Sequence, residues 1–144
     1  MFGKLKERLS GGSKKLSGKT DLLEGICAIS ALVACADGEI EDSEVTGALE
    51  ALQNHPTLAT AFSGTQIEQA LDKQLKRANG SMTGKLALKR EIEEMKSKNA
   101  SDELEMALMV GIDIAMADGE LEPEEKIVLT DLAKRLGFNL SNYL

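Results

Sequence analysis

Residues 20–44 read TDLLEGICAISALVACADGEIEDSE, and residues 101–125 read SDELEMALMVGIDIAMADGELEPEE. Laid over one another at an offset of 81 residues, these 25-residue stretches share ten identities, at positions 21, 23, 24, 34, 36, 37, 38, 39, 41 and 44 of the first copy. Other positions change conservatively, as in Ile29/Val110 and Val33/Ile114. The chain therefore contains one helix–loop–helix unit written twice.

Each copy opens on Asp-x-x-Glu (Asp21 and Glu24; Asp102 and Glu105), a spacing that places acceptors over the first free N–H groups of a helix. The helix runs to Ala36 or Ala117, and both helices are apolar nearly all round. That pattern predicts that the two together form a buried spine. After the Asp-Gly-Glu loop a second helix begins near Asp42 in the first copy and at Pro123 in the other, where proline suits the first helical position. The later one shows Val128, Leu129, Leu132, Ala133 and Leu136 on one face and stops at Gly137.

Three shorter helices are predicted between the copies. One starts at Pro56, one is capped by Thr65-x-x-Glu68 and carries Ile67, Ala70, Leu71 and Leu75, and one runs from about Thr83 to Lys98 around Leu88, Ile92 and Met95. The tail from Leu140 adds a last turn. The expectation is an all-α domain over residues 20–144, a compact bundle of about seven helices with an internal pseudo-two-fold repeat. Composition agrees: aromatics are 3% of the 144 residues, with no Trp, and strands draw on aromatic and β-branched residues. At 42% hydrophobic, a chain of this length has the material to bury roughly 68–70% of its unfolded surface.

Charge is unevenly placed. The net charge of −7 divides into +5 on residues 1–19 and −12 on the remainder. Residues 1–19 read as a basic arm in which Phe2, Leu5 and Leu9 share a helical stripe bordered by Lys4, Lys6 and Arg8, followed by Gly11, Gly12, Ser13 and Gly18. Such an arm docks its apolar residues on the domain or lies on an anionic membrane surface. The acidic body argues against nucleic-acid binding, which rests on clustered Lys/Arg. The longest uncharged apolar run, Gly25 to Ala36, is 12 residues, too short to cross a bilayer. Cys27 and Cys35 fall about 12 Å apart on one helix, beyond disulfide reach, which suits a reducing, cytoplasmic setting.

The repeated loop is where chemistry concentrates. Placing Gly38 at the turn position of a calcium-binding EF-hand loop puts Asp37, Glu41 and Glu44 at its fifth, ninth and twelfth ligand positions. Gly119 does the same for Asp118, Glu122 and Glu125. The first and third positions fall on Val33 and Cys35, or on Ile114 and Met116, which cannot ligate calcium, so a standard EF-hand is excluded. Half a site per copy remains. Its hard oxygen donors suit Ca²⁺ or Mg²⁺, while the same residues also serve simply to end one helix and favour the start of the next.

Asp113 interrupts the second apolar helix where the first copy has Leu32, and the reading is that it marks a wetter edge of that helix. His55, before Pro56, reads as an exposed N-cap. With a single His in the chain no nucleophile–base–orienter set can be assembled, so no enzymatic activity is expected.

The second copy, Val110 through Gly119 with Glu122-Pro123-Glu124-Glu125-Lys126 and the ending Leu136-Gly137-Phe138, resembles the TerB family of bacterial tellurite-resistance systems. Ala36-Asp37-Gly38 through Glu44 resembles the earlier copy of the same family loop. The likeness covers roughly residues 20–138, and the basic arm is of the family's kind. What it implies is a seven-helix domain without known turnover, with acidic clusters at Asp37, Glu44, Asp118 and Glu125 suspected of chelating a divalent cation. It also implies cytoplasmic work in stress or metal resistance, near the inner membrane, beside TerC-like membrane proteins and TerD-like proteins. Related domains also occur in co-chaperones, which leaves an ion-independent protein–protein adaptor as the alternative.

Overall fold

The computed structural model describes residues 19–38, 40–117 and 119–144. The basic arm, apart from Lys19, therefore lies outside the described residues, as do Glu39 and Asp118. Seven α-helices occur among the described residues: α1 (Thr20–Ala34), α2 (Asp42–Asn54), α3 (Pro56–Ala61), α4 (Gly64–Gly80), α5 (Met82–Lys98), α6 (Ser101–Ala115) and α7 (Pro123–Leu136). A 3-10 turn at Leu140–Asn142 follows. The all-α expectation holds. No helix among them is long and apolar enough to cross a membrane.

The duplication is reproduced residue for residue. Helices α1 and α6 have 15 residues each, and their bounds, like the starts of α2 and α7, differ by the sequence offset of 81. The two copies also touch through like parts. At one end the Lys19 ammonium donates to Asn99 Oδ1 at 3.2 Å and pairs with Glu103. Midway, a Cβ on Gly111 would stand 2.9 Å from Ile29 Cγ2. At the far end Val33, Ala34, Ile114 and Ala115 line one groove. Hence α1 and α6 run in the same direction, in nearly the same register.

Only α1 is a spine. Gly25 through Val33 are buried without interruption, because α4, α5, α6 and α7 all pack on it. Helix α6 does not share this position: it buries Leu104, Leu108, Val110 and Ile112 but exposes Met109, as Met116 just beyond its end is also exposed. The expectation of two central helices is corrected here. The intervening α4 and α5 pack on α1 far more than on α6. Leu32 on α1 is 4% exposed, while its counterpart Asp113 on α6 has a side chain 63% exposed.

Helix starts also differ from the sequence reading. Helix α4 is capped by Ser63, whose Oγ accepts the Gln66 N–H at 3.1 Å while Gln66 Oε1 accepts the Ser63 N–H at 2.9 Å, so Thr65 lies inside the helix. At α6 the backward cap is Glu103, accepting the Ala100 N–H at 3.0 Å. The Lys19 side chain, and then that N–H, hold the Glu103 carboxyl below its ordinary value. Asp21, Glu24 and Glu105, expected as caps, instead tie elements together: Asp21 accepts from Asn99, Glu24 pairs with Lys73 at 2.9 Å, and Glu105 accepts the Tyr143 hydroxyl at 2.8 Å. Gly137 ends α7 in the left-handed region at φ 93°, as its sequence position suggests.

Two glycines make the packing testable with one substitution. Gly111→Ala drives a methyl into Ile29, where overpacking costs about 1–3 kcal/mol. Gly47→Ala, on an open face of α2, meets nothing within 4 Å and gains helix propensity, about 0.5–1 kcal/mol. Urea unfolding of the two variants is expected to shift the midpoint in opposite directions.

Candidate functional site

The shared direction of α1 and α6 delivers both acidic loops to the same end of the bundle. Each loop is built alike. Cys35 and Met116 close their helices on Ala31 and Ile112 carbonyls, and the Gly38 and Gly119 N–H groups then donate to Cys35 and Met116 at 3.0 Å. Both glycines have positive φ, 97° and 114°, with open space where a Cβ would stand, so backbone conformation alone demands glycine there. Seven residues, 35–41 or 116–122, separate each of these helices from the next, so the loop is a helix stop followed by a helix start.

Between the loops lies a groove of about 620 Å³. Its apolar lining includes Val33, Ala48, Ala51 and Ile114, and its carboxylates are Asp37, Glu44 and Glu50 from the first copy with Glu122, Glu124 and Glu125 from the second. No lysine or arginine lines it among the described residues. Four of the expected site residues, Asp37, Glu44, Glu122 and Glu125, thus line one groove. Glu41 lies outside the lining but close enough to act on Glu44, and Asp118 falls outside the described residues. Sequence reasoning missed Glu50 and passed over Glu124. Glu50 shares the Ser43, Gly47, Asn54 face of α2, which by pattern alone reads as a solvated polar face.

The electrostatics show that the copies feel one another. Partial burial, then the charges of Asp37, Glu41, Glu125 and Glu122, push the Glu44 carboxyl above its ordinary value. Equivalent residues nonetheless do different work. Glu125 Oε1 accepts the Glu122 N–H at 2.9 Å and caps α7, whereas Glu44 makes no such bond to Glu41. The donor set is all hard oxygen, suited to Ca²⁺ or Mg²⁺. Among the described residues, however, no three His, Cys, Asp or Glu side chains are close enough together to ligate one ion.

Asp113 and His55, which lie outside the groove lining, explain one another. His55 caps α3 by accepting the Thr57 N–H on Nδ1 at 3.3 Å, and its Nε2 lies 2.9 Å from Asp113 Oδ2. With Nδ1 used as an acceptor, the neutral ring carries its proton on Nε2 and donates to the carboxylate. The His55 side chain is only 13% exposed, so the cap is as expected but its exposure is not. The thiols are internal: burial, with the nearby Glu24 charge, pushes Cys27 up to about 12.

The raised Glu44 carboxyl, a product of partial burial and then of like charge, has a consequence whose sign can be checked. A carboxyl raised in the folded chain binds its proton more tightly there than when unfolded, so this contribution to stability is lost as pH rises through its titration. Glu44→Gln is therefore expected to raise Tm at pH 7, by about 1–2 °C for a surface change of about 0.5 kcal/mol. The gain should vanish near pH 3.5, about a unit below the ordinary glutamate value, where the parent carries the proton already. Thermal scans at the two pH values measure it.

No curated protein and no solved structure is significantly similar to this sequence. The family model described as tellurite resistance protein TerB matches residues 23–143, a span that takes in both acidic loops, all the helices from the first turn of α1 onward and the closing 3-10 turn. With nearly the whole chain matched and the duplicated loop intact, this protein belongs to the TerB family.

Proposed function

We propose that this chain is a non-catalytic module of a tellurite-resistance system whose groove between the two repeats attracts a divalent cation, Ca²⁺ or Mg²⁺, and whose helical faces engage partner proteins. The observation that carries the cation reading is geometric: six carboxylates from the two copies line one groove that contains no basic lining residue among those described, and they repel one another. A cation relieves that repulsion. Because no three donors converge on one point among the described residues, the ion is held loosely, largely through its own water, as suits the slow dehydration of Mg²⁺ or a weak calcium site. Asp37, Glu44, Glu122 and Glu125 are the residues that would face it.

The partner half of the reading rests on α6 and α7. Met109, Met116 and Ile127 are 43%, 39% and 71% exposed, an apolar character unusual beside so much acid. They also support the alternative, an adaptor that works without any ion.

Calorimetric titration of the metal-stripped full chain separates the two. The cation reading expects saturable Ca²⁺ or Mg²⁺ heat with Kd of about 10⁻⁴–10⁻³ M. Glu44→Gln/Glu122→Gln, which removes two charges, is expected to weaken it by about tenfold. Absence of heat at millimolar ligand leaves the adaptor.

A further inference from the structure

We propose that the groove between the two repeats is the docking site of the chain's own basic arm, residues 2–9, and that arm and cation occupy it in competition. The second clause rests on the cation reading above; the first stands without it.

Three observations bring arm and groove together. The groove pairs an apolar lining, Val33, Ala48, Ala51 and Ile114, with six carboxylates. Residues 2–9 pair an apolar stripe, Phe2, Leu5 and Leu9, with Lys4, Lys6 and Arg8. Each surface thus offers what the other lacks. The groove has no basic residue among those described, while residues 1–18 hold five basic residues against the single Glu7.

Geometry permits the contact. The arm joins the domain at Lys19, which is fastened to Asn99 and Glu103 at the end of α1 remote from the groove. The 15 residues of α1 cover about 22 Å at 1.5 Å each. Residues 10–18, with Gly11, Gly12 and Gly18, reach about 30 Å when extended. The connector is therefore long enough to return residues 2–9 to the groove with little slack. A tether this short sets an effective concentration in the millimolar range, so weak contacts suffice to keep the groove filled.

Competition follows from charge. The lysines and arginine of the arm relieve the same repulsion at Glu44 that a cation would relieve. An arm docked nine-tenths of the time weakens the apparent cation affinity about tenfold.

The test uses the full chain carrying Ser10→Cys with a nitroxide label; Cys27 and Cys35 are buried and remain unmodified. Docking predicts paramagnetic broadening of the Gly47, Ala48, Ala51 and Ala115 amides. Lys4→Glu/Lys6→Glu/Arg8→Glu in the same chain should abolish it, as should about 0.5 M salt, which shortens screening to a few ångström. Broadening confined to residues near Lys19, or indifferent to charge reversal, overturns the proposal. Broadening transferred between labelled and unlabelled molecules assigns the arm to a second copy and likewise overturns it. Calcium titration of the charge-reversed chain then separates the clauses. A gain of about tenfold supports competition. Unchanged affinity overturns competition but spares the cation reading. Broadening without calcium binding in either chain upholds docking and removes the ion.

Discussion

The close passage of α6 over α1 at Gly111 and Ile29 is the constraint on which the rest depends. A glycine there lets two equivalent helices lie against one another in the same direction, and parallel neighbours necessarily end together. Everything appended to those ends is then brought face to face. Two loops that merely finish one helix and start another thus become the walls of a single groove. Their carboxylates must tolerate a proximity that neither loop alone creates. The free energy that enforces this comes from the buried apolar surface of α1, so the bundle core supports the electrostatic tension at its edge.

Membership of the TerB family and the helical architecture are established by the match over residues 23–143 and by the helices themselves. The groove adds a physical reason for the duplication. One copy of the loop supplies a modest negative region with each acid favourably placed at a helix start. Two copies held in register add to this: the Glu44 carboxyl, already raised by partial burial and by Asp37 and Glu41 of its own copy, is raised further by Glu125 and Glu122 of the other. Positive charge is the natural complement, whether it arrives as an ion or on a side chain.

Much of this was legible in the sequence because it is local. The offset of 81 residues marked the equivalent helices, the glycine turns and the proline start of α7, since each depends on neighbours within a few positions, although the repeat helices stop at Ala34 and Ala115, two residues before the expected Ala36 and Ala117. What failed to show were facts about partners. Leu32 and Asp113 occupy equivalent places, yet α4 and α5 pack on α1 rather than on α6, and one residue is buried while the other is wet. Asp21, Glu24 and Glu105 have cap spacing, but Asn99, Lys73 and Tyr143 claim their oxygens across the bundle. Glu50 was overlooked for the same reason: its significance lies in what stands opposite.

The equal length of α1 and α6 has an implication for how such a chain can change over time. Each helix is anchored near its start through Lys19, Asn99 and Glu103, and each delivers a loop fifteen residues later. Losing one residue from either helix would swing its loop by about 100° and draw it back about 1.5 Å. A length change within one of these helices would therefore carry its loop out of register with the other, unless the equivalent helix changed by the same amount.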